Sequence, residues 1–112
     1  GIVPPNDAEG VLQDVHWSAG LIGYFPTYAL GNLYAAQFMN SMSSELGDIE
    51  DVVRTGEFGK ILAWLRENIH QFGMVYPAAE LCQRVTGEDL NPDYFVNYLE
   101  NKYGGIYELR GN

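Results

Sequence analysis

Tyr24-Phe25-Pro26-Thr27-Tyr28-Ala29-Leu30-Gly31-Asn32-Leu33-Tyr34-Ala35-Ala36-Gln37-Phe38-Met39 decides how this chain folds. Proline fits the first turn of a helix, where its missing N–H would have had no partner, so a helix is predicted to open at Tyr24-Phe25-Pro26. It is expected to run to about Leu46 and to stop at Gly47-Asp48. Its first half has apolar side chains on every side, with only Thr27, Asn32 and Gln37 interrupting. Such a helix is normally buried on every side. A domain of this length buries only about two-thirds of the surface its unfolded chain exposes, which leaves little material to wrap one helix. The helix therefore reads as missing a packing partner. Gly31 and Ala35 share a face with Tyr24 and Tyr28, which suits either a tight helix contact or a cleft wall.

Downstream the pattern stays helical. Asp48 to Arg54 suits a short helix. Phe58, Ile61, Leu62, Leu65, Ile69 and Phe72 form one apolar stripe that ends near Gly73. Pro77 opens a segment through Leu81 and Val85 to Gly87. Asn91 as cap and Pro92 at the first helical position open the last helix, which is expected to end before Gly104-Gly105. No alternating strand run with hairpin turn chemistry is present. The expected fold is all-α, with about four to six helices making up the C-terminal part of a larger helical fold. One helical fragment, 1–112, divides into an extended lead-in with turns over 1–23 and a helical region over 24–112.

Composition narrows the function. With 112 residues, 46% of them apolar, the chain suits one compact domain. Fifteen acidic against six basic residues give a net charge of −9, which repels a phosphate backbone and excludes a nucleic-acid partner. No apolar run reaches the roughly 20 residues that span a bilayer, so no membrane partner is expected. The single cysteine, Cys82, reads as a small apolar filler on a helix, and the lack of any disulfide pairing suits a cytoplasmic protein. Gly1-Ile2-Val3-Pro4-Pro5 lacks the basic and apolar regions of a signal peptide and reads as a chain entered midway.

A hydrolytic zinc centre commonly places two histidines four apart on a helix, with Glu beside the first. His16 and His70 are the two histidines here, in different segments and outside any HExxH pattern, so no metal is expected in this chain. No G-x-S-x-G elbow and no phosphate-binding glycine loop is present. The chemistry that remains lies in Gln13-Asp14-Val15-His16-Trp17-Ser18 and Gly23-Tyr24-Phe25-Pro26-Thr27-Tyr28. A histidine near two tyrosines offers donors that can polarise a carbonyl or hold an oxyanion. Asp14 can orient the imidazole or cap the next turn. The alternative is a set of core aromatics with satisfied polar tips.

At this stretch the sequence resembles the carboxypeptidase Taq family of zinc metallocarboxypeptidases. The family pattern Gly-x-x-Gln-Asp-x-His-Trp stands here as Gly10-Val11-Leu12-Gln13-Asp14-Val15-His16-Trp17, and Gly-Tyr-Phe-Pro-x-Tyr-x-Leu-Gly as Gly23 to Gly31. Trp64 to His70, Tyr76-Pro77 with Glu80-Leu81, Thr86-Gly87-Glu88 and Tyr98 to Tyr103 are similar to the family's C-terminal end. The resemblance implies an all-helical fold around a deep groove, zinc held by HExxH plus a later glutamate, and removal of single residues from peptide C-termini. Those ligands lie upstream of the residues present, so the chain alone is expected to be inactive. By similarity to the wider group of helical HExxH peptidases, Tyr24 is the transition-state donor and His16 binds the substrate carbonyl. Gln13 and Tyr28 line the substrate groove, and Asp14 positions His16. His70 is expected to make a hydrogen bond near a helix end, and Trp17 to lie in the core.

Two readings result. One is the C-terminal portion of a zinc carboxypeptidase, with peptide substrates and with the N-terminal part of the same protein as its partner. The other is a helical interaction module derived from that family. In either, the exposed sides of the first long helix are expected to associate, with a second copy of the chain as one partner.

Overall fold

The computed structural model describes residues 1–108. Among the described residues there are six α-helices, three 3₁₀ turns and no strand. The all-α expectation holds. The chain forms two compact units, Gly1–Leu30 and Gly31–Asn112, each with its own internal packing.

The first unit is built from short turns closed by side-chain caps. Asn6 accepts a hydrogen bond from the Glu9 amide at 3.0 Å and starts a 3₁₀ turn over Asp7–Glu9. A second 3₁₀ turn covers Val11–Gln13. Both turns lie in the segment expected as an extended lead-in with turns; the two prolines stop at Pro5 and leave later amides free to close them. Asp14 then caps α1, Val15–Ser18, by accepting from the His16 amide at 2.6 Å. Gly20 and Gly23, at φ +75° and +80°, turn the chain toward the next helix in the left-handed region where glycine carries no Cβ penalty.

α2 covers Phe25–Leu46, with Pro26 in its first turn. It ends as expected: Gly47 takes φ +83° and donates its amide to the Ser43 carbonyl at 3.0 Å. The helix starts in the first unit and continues into the second.

In the second unit, Asp48 caps α3, Ile49–Arg54, by accepting from the Glu50 amide at 2.8 Å. α4 spans Phe58–Asn68 and packs against α3 and against a 3₁₀ turn over His70–Phe72. The single stripe expected through Phe72 is therefore interrupted, because Ile69 leaves helical geometry at φ −128°, ψ −60°. Its centre is also displaced. Trp64 is buried, Ile61, Leu65 and Asn68 are half-buried, and Phe58 and Leu62 are exposed. The face that packs follows Ile61, Trp64, Leu65 and Asn68.

α5, Ala78–Thr86, begins after Pro77 and ends at Gly87, at φ +83°, whose amide reaches the Gln83 carbonyl. α6 is Asp93–Ile106, with Asn91 accepting from the Asp93 amide at 3.0 Å. It does not stop at Gly104-Gly105 as expected. Gly104 is buried inside the helix, and the last described turn follows Ile106.

Met42, Val52, Trp64 and Cys82 form the buried apolar core of this unit. Burial of Met42 and Val52 contributes roughly 1.5–3 kcal/mol each. Among them sits a fully buried amide, Gln37. Its Nε2 donates to Thr86 Oγ1 at 2.9 Å and to the Asp89 carbonyl at 3.1 Å. Its Oε1 accepts from the Asn91 amide at 2.9 Å. One side chain thus ties α2 to the end of α5 and to the loop before α6. Among the described residues, the Trp64 indole nitrogen is the buried polar side-chain atom without a hydrogen-bond partner.

Candidate functional site

Four of the five expected site residues meet on the first unit. Asp14 closes the turn before α1, His16 lies on α1, Tyr24 stands just before α2, and Tyr28 lies one turn into it. The two glycine turns after α1 fold the chain back, so that α2 starts beside the His16 ring. The Leu21 amide also donates to the His16 carbonyl at 2.8 Å, closing the return.

His16 is held from several sides. Its Nδ1 lies 3.1 Å from Asp14 Oδ1, and its Nε2 lies 3.2 Å from the Tyr28 hydroxyl. Tyr24 stacks on the imidazole with ring centroids 5.6 Å apart and planes at 20°. Tyr28 presents an edge at 5.7 Å, and Tyr24 and Tyr28 also meet edge to face at 5.3 Å. His16 and Asp14 are half-buried, while Tyr24 and Tyr28 are exposed.

Gln13 takes no part in this cluster. Its Nε2 donates to the Ala8 carbonyl at 2.6 Å, which braces the 3₁₀ turns instead. Trp17 is not in the core: it is 64% exposed and lines an open cavity of about 270 Å³ with Val11, Leu12, Asp14 and Ser18. α1 is a single turn, and a turn that short covers one side of its residues only. His70 is exposed at the start of its 3₁₀ turn.

Phe25 was missed by the sequence reading. Its ring lies 4.8 Å from the imidazole and packs beside Tyr28 at 6.4 Å. The signal was present in its place between Tyr24 and Pro26, at the start of a helix that faces His16.

On the second unit, the α2 face expected to be a tight contact or a cleft wall is open. A side chain at Gly31 would meet nothing within 4 Å. Asn32, Ala35, Ala36, Met39, Phe95 and Tyr98 line a cavity of about 300 Å³.

Residues 1–103 match the family model described as Carboxypeptidase Taq (M32) metallopeptidase. The chain belongs to this family. The M32 chain is 49% identical over 107 residues to thermostable carboxypeptidase 1 of Thermus thermophilus, covering 96% of itself and 21% of that protein. It is 46% identical over 109 residues to carboxypeptidase 1 of Bacillus subtilis, covering 97% of itself and 22% of the relative. Among solved structures it is similar to the M32 carboxypeptidase of Deinococcus radiodurans R1, with TM-score 0.85 and 36% identity over 96% of this chain and 22% of that one. The M32 chain thus spans about a fifth of the length of the relatives it matches.

The zinc that such a family implies does not fit the residues around His16. One carboxylate and two phenols surround the imidazole. Among the described residues no three His, Cys, Asp or Glu side chains come together to hold a metal ion. Among them, too, no helix is long and apolar enough to cross a membrane.

Proposed function

We propose that this M32 segment supplies one wall of a peptidase groove, with His16 binding the substrate carbonyl and Tyr24 donating to the oxyanion of the transition state. The observation that carries this reading is the cluster itself: two exposed tyrosines packed on one imidazole, with Asp14 against the ring. Donors fixed in place before reaction lower the barrier without reorganisation at the moment of charge development. Asp14 orients His16, and Tyr28 lies beside the reacting carbonyl. The substrates are peptides, cleaved one residue at a time from the C-terminus. Zinc belongs to ligands outside these residues in a family-length polypeptide, so the chain alone does not cleave peptides.

A second reading, a helical interaction module without catalysis, draws on the exposed apolar half of α2. Tyr28, Leu30 and Met39 are each about half exposed, at 53%, 45% and 48%. Such exposed apolar side chains, on opposite sides of the helix, suit association with the N-terminal part of the same protein or with a second copy.

One experiment separates the two. The matching segment of Bacillus subtilis carboxypeptidase 1 is replaced by this chain, and peptide hydrolysis is followed with and without Tyr24→Phe. On the first reading the chimera is active, and the variant loses about 10²–10³ in kcat while its melting temperature stays put. A variant within a few-fold of the unaltered chimera removes the role from Tyr24. A folded but inactive chimera favours the interaction module.

A further inference from the structure

We propose that Asp14 and Tyr28 together hold His16 as its Nδ1–H tautomer, with the Tyr28 hydroxyl donating to Nε2, which makes Tyr28 a positioning residue for the imidazole.

Hydrogen-bond chemistry leaves one assignment. Asp14 Oδ1 accepts from the His16 amide at 2.6 Å and faces Nδ1 at 3.1 Å. An ionised carboxylate has only lone pairs to offer, so the ring nitrogen opposite it must carry the proton. A neutral imidazole carries one N–H, so Nε2 is left with a lone pair. The Tyr28 hydroxyl, 3.2 Å from Nε2, can then only donate. In water the neutral side chain favours the Nε2–H form, so the two partners invert the ordinary preference.

Turning the ring over offers no escape. A half-turn about the Cβ–Cγ bond replaces Nδ1 and Nε2 by carbon atoms opposite Asp14 and Tyr28 and forfeits both bonds. Tyr24 stacked at 5.6 Å and Phe25 at 4.8 Å keep the ring in plane. The charged group facing His16 is Asp14, from the segment before α1; α2 and the residue preceding it bring the uncharged rings of Tyr24, Phe25 and Tyr28.

The catalytic consequence rests on the reading of His16 given above; the tautomer itself does not. A neutral His16 clamped this way presents Tyr28 with a lone pair and offers a carbonyl no N–H. It binds a substrate carbonyl only as imidazolium, when Nδ1–H stays on Asp14, Nε2–H turns to the carbonyl, and the Tyr28 hydroxyl is released. Tyr28 therefore sets which form of His16 meets the substrate.

The chain has two histidines, so the test is direct. The 112-residue protein is labelled with ¹⁵N at histidine, and long-range ¹H–¹⁵N spectra are recorded at about pH 8, above the ordinary histidine range. His16 is expected as predominantly Nδ1–H, with exposed His70 giving the solvent pattern as internal reference. Tyr28→Phe shifts the His16 tautomer ratio at least about threefold toward Nε2–H, the scale of one net hydrogen bond. Tyr24→Phe, which removes a hydroxyl from the stacked ring, leaves the ratio unchanged. The proposal is overturned if His16 is mainly Nε2–H, if it matches His70, or if Tyr28→Phe leaves its ratio where it was. The expected tautomer together with a fully active Tyr24→Phe chimera would remove the proposed catalytic role and leave this assignment standing.

Discussion

The two units of this chain are held together over very different distances along the sequence. In Gly1–Leu30 no residue is buried, and the bonds that organise His16 come from partners two and twelve positions away. In the second unit Gln37 is fully buried and bonds partners 49, 52 and 54 positions away. Local partners suffice to aim a polar side chain at the surface. A core needs contacts between distant segments, and each of its buried polar groups must find a partner there. The proposed chemistry of this M32 segment thus sits in the unit without buried residues, and the buried core lies in the other.

That contrast can be broken most sharply at Trp64. Trp64→Ala removes the largest side chain of the core and is expected to cost about 3–5 kcal/mol, read from urea unfolding followed by circular dichroism. A loss under about 1 kcal/mol would mean that the second unit has no specific core around it. Next comes Gln37→Leu, close in volume but unable to bond. It leaves the Asn91 amide and the Asp89 carbonyl without their partner, for an expected loss of about 2 kcal/mol in the same assay. A neutral or stabilising outcome would show that the amide serves the geometry of the loop before α6 and adds no net stability. The smallest effect belongs to the first unit. Tyr28→Phe removes one hydrogen bond at a half-exposed ring and should lower stability by at most about 1 kcal/mol, even as it alters the histidine spectrum. A larger loss would mean that the His16 cluster is a folding element and would erase the contrast.

The same difference in range explains what could be read from the sequence. Helix starts and stops are local events: Pro26 in the first turn of α2, Gly47 at its end, Asp48 before α3 and Gly87 after α5 stand where the residues announce them. The all-helical fold follows from those signals and from apolar spacing, and the meeting of Asp14 with His16 follows from a two-residue separation. The misses lie where tertiary packing decides. Apolar spacing ranked Phe58 and Leu62 with Ile61 and Leu65, yet the packed face turns on Trp64. Gln37 looked like an interruption in an apolar helix because its three partners lie beyond residue 85. Gly104-Gly105 looked like a stop, since glycine costs about 1 kcal/mol inside a helix, but α6 runs through both to Ile106 with Gly104 buried. Within the site, residue type alone leaves Tyr24 and Tyr28 alike, and the family resemblance was what gave them different expected roles. The structure tells them apart, one stacked on the imidazole and the other bonded to it.

Cys82 carries a practical consequence. Its thiol is fully buried in the second unit, and burial pushes its pKa up. A buried thiol kept protonated is a poor nucleophile, so the folded chain behaves toward maleimides as though it had no cysteine. A thiol introduced by mutation on the exposed turn of α1 or on the open side of α2 could therefore carry a dye or spin label at one site. The native Cys82 would not need to be removed, and its place in the core would stay intact.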